Sequence, residues 1–237
     1  MENTDVQHEP TLGQSIVKNA IGLALFAFIT AGVIALVQIN TASTIENNIA
    51  KAKAKALYEI IPESTVDNNL LNDALVLTTD SSKQRLHINL LGPIQDGATL
   101  HYAKKDGNIH AVILPSVAPD GYTTAIQLLV GINIDGTVAG VRIVDHKETP
   151  GLGDKVELKK SDWVLSFNNQ SLENPKEEFW KVKKDGGEFD QFTGATITPR
   201  AVVDAVKRAL MFYKQFKDTI LELAPQSSAN SSQEEEE

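Results

Sequence analysis

The chain has 237 residues and is 42% hydrophobic, which is enough for one ordinary soluble domain and a membrane segment. Its formal net charge of -9 lies largely in acidic residues near the two ends, so no basic stripe could neutralise the phosphates of a nucleic acid. Because the chain contains no cysteine, disulfides, thiolate metal sites and cysteine-ligated iron–sulfur clusters are excluded. An electron carrier in this protein would therefore be organic or haem.

The N-terminal part of the chain predicts a tail at residues 1–17 and a single transmembrane helix at residues 18–40. Within the second segment, residues 20–39 are uncharged and apolar apart from Thr30 and Gln38, which matches the ~20 residues that span a bilayer. A cleaved signal peptide is the alternative. The apolar run exceeds the ~7–15 residues of a signal-peptide core, however, and the tail before it is acidic rather than basic.

The lysines around this span do not settle its orientation. Lys18 stands alone before the span, whereas Lys51, Lys53 and Lys55 follow it. The positive-inside count would therefore place the following domain in the cytoplasm, but long domains translocate largely regardless of such counts.

Residues 41–62 predict a second, juxtamembrane helix. Apolar residues recur there at helical spacing and Pro62 ends the pattern. The apolar stripe consists of Ile45, Ile49, Ala52, Ala56, Leu57, Ile60 and Ile61. We expect the stripe to pack on the domain that follows, and packing on a partner protein is the alternative.

Residues 63–220 are predicted to form one α+β domain with an antiparallel sheet and flanking helices. Over residues 75–144 the apolar residues follow the period of strands. Asp106-Gly107 and Asp135-Gly136 are turn dipeptides typical of β-hairpins. The sequence therefore predicts two hairpins in the core of the domain.

Two loops adjoin the second hairpin. Pro119-Asp120-Gly121 predicts a turn before it, and Tyr122 after that turn is interpreted as a packing residue. Residues 146–153 follow it as a loop rich in glycine and proline, at a strand end where binding groups are often carried. A tight turn is the alternative for this loop. We interpret His146 as a surface or capping residue with no catalytic role.

Residues 154–189 are mixed in character. A short helix is predicted around Trp163, and both Trp163 and Trp180 are expected in the core. Stacking on a cofactor is the alternative for these two side chains.

Residues 190–200 hold the candidate functional residues. Gly194 and Ala195 leave the backbone almost bare beside Thr196, so a bulky group could approach the Thr196 hydroxyl closely. Thr196 is therefore the candidate nucleophile. Ordinary loop chemistry before a helix is the alternative.

A helix is predicted directly after this segment. Thr198 and Pro199 are interpreted as its N-cap and first residue, and it reaches about Lys217. Its free N–H groups and dipole would suit a phosphate at Thr196. Residues 221–237 are predicted to be a disordered acidic tail.

The pattern Asp190-x-x-Thr193-Gly194-Ala195-Thr196 resembles the flavinylation motif of the FMN-binding domain family, in which the last threonine carries FMN through a phosphoester bond. The longer run of residues 180–200 resembles one branch of that family, the G subunit of the Rnf/Rsx electron transport complex. The segments 146–155 and 22–27 resemble the same branch, so the similarity covers roughly residues 15–215.

The resemblance implies a set of site residues. Thr196 would carry one FMN covalently, with Thr193, Gly194 and Ala195 beside it. In the 146–153 loop, the positions that match residues against the flavin ring are Glu148, Thr149 and Leu152, with Gly151 and Gly153 admitting close backbone approach. Lys183 is a further candidate, because a nearby lysine could stabilise a reduced flavin anion; a solvated face is the alternative.

The resemblance also implies a function. The chain would be an electron-carrier subunit of a complex that couples electron transfer between NADH and ferredoxin to ion translocation across the bacterial inner membrane. The flavin domain would be periplasmic, and the tail at residues 1–17 cytoplasmic. Other subunits of the complex would be its partners. No histidine neighbours Thr196 in the sequence, so a separate flavin transferase would attach the FMN. Whether the chain alone is an enzyme stays open, and no metal site is predicted.

Two alternatives remain at this point. One is the C subunit of the sodium-translocating NADH:quinone reductase. It shares the membrane anchor, the FMN-binding domain and the covalent attachment of FMN to a threonine, although residues 186–200 favour the Rnf type. The other is a membrane-anchored binding or scaffold protein with no redox role.

Overall fold

The computed structural model describes residues 12–78 and 85–225, so the predictions for the start of the tail and for the acidic end after Pro225 lie outside the described residues. Contacts divide the chain into two units, one that ends at Ala52 and one that begins at Lys53. Besides its helices and strands, the described part contains short 3-10 helices at Glu63–Thr65, Ile88–Leu91, Gly153–Val156, Asp162–Phe167, Glu177–Phe179 and Lys183–Asp185.

The first helix, α1, runs without interruption from Leu12 to Ile60. The sequence predicted two helices here, but the polar residues between them do not break the first. The side chains of Asn40 and Thr41 bond back to the carbonyl oxygens one turn earlier, each at 2.8 Å, which satisfies them within the helix. Part of α1 is long and apolar enough to cross a membrane, with an exposed 18-residue window of mean hydropathy 2.6.

The core of the second unit is a five-stranded antiparallel sheet whose strands are neighbours in chain order. The strands are β1 (Ala74–Val76), β2 (Thr99–Lys105), β3 (Asn108–Ala118), β4 (Ile126–Asn133) and β5 (Val138–Asp145). Both predicted hairpins are confirmed. Asp106 and Gly107 both have positive φ, at 50° and 74°, as a two-residue turn between β2 and β3 requires.

The two faces of this sheet pack against different helices. On one face, Val112 and Leu114 of β3 join a large core with the second α-helix, α2 (Ile197–Glu222). On the other face, Ala111 and Ile113 pack with residues near the end of α1. The alternation along β3 follows from the strand period of two. The sheet therefore lies between α2 and the last turns of α1.

The end of α1 fits into a notch made by two glycines. Gly131 of β4 lies directly opposite Gly140 of β5, and a Cβ on Gly131 would approach Ile60 Cγ2 to 2.3 Å. Beside the notch, Arg142 donates to the Glu59 carbonyl oxygen at 2.6 Å. Packing of the juxtamembrane stripe on its own domain is therefore confirmed for Leu57, Ile60 and Ile61, whereas Ile45 and Ile49 are exposed.

Helix α2 carries the apolar face that its spacing predicts, with Val202, Val206 and Ala209 fully buried. It starts two residues earlier than predicted and continues to Glu222 rather than to about Lys217. Trp180 is buried as predicted, and its ring stacks on Phe167 with centroids 6.2 Å apart.

Candidate functional site

The segment of residues 190–196, here called the motif loop, is held in place by Trp163. The indole N–H of Trp163 donates to the Asp190 carbonyl oxygen at 2.7 Å, and its ring packs edge-on against Phe192 at 5.1 Å between centroids. Trp163 was predicted to lie in the core; it is half-buried and packs against the core. The indole ring of Trp163 and its N–H group therefore both hold the motif loop.

Within the motif loop, the chain turns sharply before Thr196. The Ala195 N–H donates to the Phe192 carbonyl oxygen at 3.1 Å, and Gly194 has a φ of 82°, which glycine adopts without steric cost. Thr193 and Gly194 are exposed, while Ala195 and Thr196 are half-buried. The approach to Thr196 is therefore lined by backbone and small side chains.

Thr196 itself is the N-cap residue of α2, and its side chain makes no capping hydrogen bond. The prediction that Thr198 is the N-cap is wrong, because Thr198 lies inside the first turn and is 1% exposed. Its hydroxyl donates to the Glu148 carboxylate instead of capping the helix. Pro199 still fits at the third helical position, since N–H groups of the first turn have no partner within a helix.

The N-terminus of α2 offers free donors. Among the residues that the structure describes, none accepts a hydrogen bond from the backbone N–H of Thr196, Ile197 or Thr198. The first turn of α2 also contains no acidic residue. Nearby, Arg200 is held by two bonds to Asp185, at 2.6 and 2.9 Å, and this contact raises the pKa of Arg200 and lowers that of Asp185. Such a terminus suits a phosphate.

The 146–153 loop lies against both the motif loop and α2. Leu152 reaches the motif loop, because a Cβ on Gly194 would be 3.6 Å from Leu152 Cδ2. Gly153 lies so close to α2 that a Cβ there would be 2.8 Å from Thr198 Oγ1. Thr149 is exposed, and its carbonyl oxygen accepts from Leu152 N–H at 3.1 Å. The structure thus brings two sequence-predicted segments together around Thr196.

Glu148 differs from its neighbours in this loop because its side chain faces the protein. It is 4% exposed, and its carboxylate accepts from Thr123 N–H at 2.9 Å, from Tyr122 N–H at 3.2 Å and from the Thr198 hydroxyl. Both oxygens are thus engaged by protein donors. Glu148 connects the turn before β4 with the start of α2.

Lys183 lies at the other end of the motif loop. Its ammonium group is 2.8 Å from Asp190 Oδ1, and both side chains are more than half exposed. The hydrogen bond to Asp190 raises the pKa of Lys183. This candidate residue therefore contacts the first residue of the motif on a solvated face.

Two residues near this loop have placements that the sequence did not specify. Of the two roles predicted for His146, surface or capping, the structure shows the capping role, because its Nδ1 accepts the Glu148 backbone N–H at 3.0 Å, whereas its side chain is only 11% exposed and also contacts Glu157. Tyr122 was interpreted as a packing residue, but it is 66% exposed. No local pattern signals either placement, because both depend on the contact between the Tyr122 turn and the 146–153 loop. In the described ranges, 12–78 and 85–225, no group of three His, Asp or Glu could hold a metal ion.

Comparison with known proteins identifies relatives over nearly the whole chain. Residues 121–211 match the FMN-binding domain family, and residues 6–60 match the RnfG N-terminal region. Proteins named as the G subunit of an ion-translocating oxidoreductase complex are 45% identical in Pseudoalteromonas atlantica over 210 residues, in Pseudomonas aeruginosa over 216 and in Vibrio vulnificus over 208. The matches cover 87%, 91% and 87% of this chain, and 92%, 96% and 93% of the relatives.

The matched domain contains every element of the site. It includes the Tyr122 turn, the 146–153 loop, the motif loop and the first turns of α2. The match to the RnfG N-terminal region covers α1, and it favours the Rnf type over the quinone reductase type that the sequence left open. The chain belongs to the family of G subunits of ion-translocating oxidoreductase complexes, and its second unit contains an FMN-binding domain.

Proposed function

We propose that this chain is a membrane-anchored electron carrier that holds one FMN through a phosphoester bond to Thr196. The observation that carries the proposal is the position of the Thr196 hydroxyl. It is the N-cap side chain of a 26-residue helix, has no capping bond of its own, and stands beside free backbone N–H groups. A phosphodiester there would gain hydrogen bonds and a favourable helix dipole.

The residues around Thr196 fit a flavin phosphate. Gly194 and Ala195 leave space on the motif-loop side, and the N–H groups of Ile197 and Thr198 are available to phosphate oxygens. On the other side, Leu152 presents an exposed apolar surface next to Gly194, where a flavin ring could rest. The bound flavin would supply reversible electron transfer, while the protein would supply placement.

Attachment of the flavin would need a second protein. His146 makes its bonds with Glu148 and Glu157, so it does not serve as a base for Thr196. We infer that a flavin transferase brings a phosphoanhydride of FMN. The Thr196 oxygen then bonds to the flavin phosphorus, the phosphoanhydride bond breaks, the other phosphate departs with its electron pair, and the transferase accepts the Thr196 proton.

The names of the relatives support a place for this carrier. Their name describes the G subunit of an ion-translocating oxidoreductase complex, so we propose that this chain works with the other subunits of such a complex. Its flavin would relay electrons in a path between NADH and ferredoxin that drives ion movement. We further propose that α1 anchors the chain in the bacterial inner membrane and that the FMN domain is periplasmic.

The site of attachment is tested by intact mass and in-gel flavin fluorescence of the chain co-produced with a flavin transferase. The wild-type chain should gain the mass of one FMN less water. Thr196→Val keeps the shape of the side chain but removes its hydroxyl, so both signals should disappear. Thr193→Val makes the same change in the exposed part of the motif loop and should retain both.

Peptide mapping separates the remaining outcomes. Flavin on Thr193 or Thr198 would show that the residue assignment is wrong. A chain that takes up no covalent flavin would overturn the proposed attachment at Thr196, while the family match to an FMN-binding domain would stand.

A further inference from the structure

A series of hydrogen-bonded polar groups, here called the polar chain, runs from the half-buried Glu157 through His146 and Glu148 to the buried Thr198. Glu157 Oε1 is 2.6 Å from His146 Nε2, and the Glu148 N–H donates to His146 Nδ1 at 3.0 Å. The Glu148 carboxylate then accepts from the Thr198 hydroxyl. The last of these bonds joins residues 50 positions apart, and the polar chain ends two residues after Thr196.

The donor and the acceptor of each hydrogen bond in this polar chain can be assigned. The Glu148 carboxylate meets three donors, the Thr198 hydroxyl and the backbone N–H groups of Tyr122 and Thr123. A glutamine at position 148 would place its amide N–H₂ group, which cannot accept a hydrogen bond, opposite one of these donors. That donor would then lose its acceptor. The surroundings of the carboxylate leave little room for another arrangement, since a Cβ on Gly153 would be 3.0 Å from Glu148 Oε2.

His146 sets the position of the Glu148 backbone. Because its Nδ1 accepts a hydrogen bond, the network assigns its proton to Nε2, which donates to the Glu157 carboxylate. The side chain is 11% exposed and bonds to both of these partners. A His–carboxylate pair of this kind fixes both the tautomer and the orientation of the ring.

Thr196 depends on its neighbours for placement, since its own side chain makes no capping hydrogen bond. Trp163 fixes the motif loop before it, through the bond to Asp190. Thr198 fixes the first turn of α2 after it, through Glu148. The two contacts hold the chain on either side of the attachment residue.

We propose that His146 and Glu148 are positioning residues for flavin attachment: through Thr198 they hold the Thr196 hydroxyl and the first N–H groups of α2 in the arrangement that a flavin transferase modifies. This inference rests on the proposed function of Thr196. It assigns His146 no contact with the flavin and no proton transfer. It also makes the hydroxyl of Thr198, rather than its β-branched shape, the property that matters.

Pairs of conservative substitutions test this proposal in the full-length chain. Thr198→Ser keeps the hydroxyl and Thr198→Val removes it. We expect Thr198→Ser to take up covalent flavin at nearly the wild-type rate and Thr198→Val at least roughly tenfold more slowly, the size expected when a hydrogen bond to a charged group is lost. Thr219→Val makes the same change near the far end of α2, away from the site, and should behave like the wild-type chain.

A second pair tests His146 by a measurement that needs no flavin. His146→Asn can still accept the Glu148 N–H through its side-chain oxygen, whereas His146→Leu cannot. Hydrogen exchange at the Glu148 amide should therefore speed up at least roughly tenfold in His146→Leu and stay near the wild-type rate in His146→Asn. Flavin uptake should follow the same order.

The outcomes separate this proposal from the proposed function. If the wild-type chain takes up no flavin, attachment at Thr196 fails while the exchange result still reports on the polar chain. If Thr198→Val and Thr198→Ser take up flavin equally well or equally poorly, the hydroxyl does not position Thr196. Equal exchange at Glu148 in both His146 variants would likewise overturn the role of His146.

Discussion

His101 shows how burial sets the charge of a single side chain in this domain. Its Nδ1 bonds the Leu70 carbonyl oxygen at 2.7 Å and its Nε2 is 3.0 Å from Thr99 Oγ1. Lys53, near the end of α1, donates to the same Thr99 oxygen at 2.6 Å. Burial, together with the positive charge of Lys53, lowers the pKa of His101 to about 4. The neutral ring is therefore the native form.

The free energy of unfolding should consequently decrease as the pH is lowered through the range between the unfolded and folded pKa values of His101. Between its ordinary pKa of 6.5 and about 4, the unfolded chain binds a proton at His101 that the folded chain does not. The stability is complete above pH 6.5, and up to ~3 kcal/mol of unfolding free energy should be lost as the pH falls toward 4, at about 1.4 kcal/mol per pKa unit.

Denaturant unfolding of the full-length chain in detergent, at about pH 7 and about pH 4.5, measures this loss. Carboxylates contribute to the same trend, so the comparison is with His101→Gln, which cannot titrate. The variant should be less stable at neutral pH but should lose less stability on acidification. An equal loss in both chains would show that His101 is not the group responsible.

The joint between α1 and the sheet shows how two elements are fixed to each other. Gly131 and Gly140 face each other across β4 and β5, and Ile60 fills the space that their missing side chains leave. Arg142 adds polar contacts to Glu59, including one at 3.2 Å to its carboxylate. Since Ile60 and Leu57 are buried in the same cluster, the last turn of α1 is part of the domain core.

Gly131→Ala should therefore destabilise this joint. The added Cβ would lie 2.3 Å from Ile60 Cγ2, and overpacking of this kind typically costs ~1–3 kcal/mol. Gly140→Ala is the matched control on the opposite strand, because its Cβ would meet Ile60 Cγ2 at 3.4 Å, an ordinary contact.

Thermal unfolding of Gly131→Ala, Gly140→Ala, Ile60→Ala and the double variant Gly131→Ala/Ile60→Ala measures the effect. The double variant should lose less stability than the sum of the losses in Gly131→Ala and Ile60→Ala, because without the Ile60 side chain the Cβ added at position 131 has nothing to clash with. Additive costs would mean that Ile60 does not occupy the notch.

At the scale of the whole molecule, the proposed periplasmic placement of the FMN domain is opposite to the placement that the lysine count favours. Of the three lysines that follow the apolar segment, Lys53 bonds Thr99 in the sheet, and burial lowers its pKa. Lys53 therefore serves a structural contact and is weak support for the cytoplasmic placement that the lysine count favours. Without Lys53, the count compares two lysines after the apolar segment, Lys51 and Lys55, with one before it, Lys18.

Single cysteines report the orientation directly, because the natural chain has none. Gln215 is exposed on α2, and Asn3 precedes α1 in the sequence. In cells with a permeabilised outer membrane, an impermeant thiol reagent should label Gln215→Cys and leave Asn3→Cys unlabelled until the cells are lysed. Labelling of Asn3→Cys alone would place the FMN domain in the cytoplasm.

Several features of this protein could be predicted from the sequence because they depend on near neighbours in the chain. The Asp-Gly dipeptides determine where the hairpins turn, since the backbone angles of a tight turn restrict the residues that fit it. The apolar run in α1 and the apolar face of α2 follow from composition and spacing. The sharp turn before Thr196 likewise depends on Gly194, whose φ of 82° glycine adopts without steric cost.

Other features were decided only by the tertiary structure, because they join residues far apart in the sequence. Helix α2 begins at Ile197 rather than Pro199, and Thr198 turns its hydroxyl to Glu148, 50 residues away. The burial of His146 and the exposure of Tyr122 depend on how two loops meet. Local propensities set which turns and helices form, but the packing of the sheet selects the partners of each polar group.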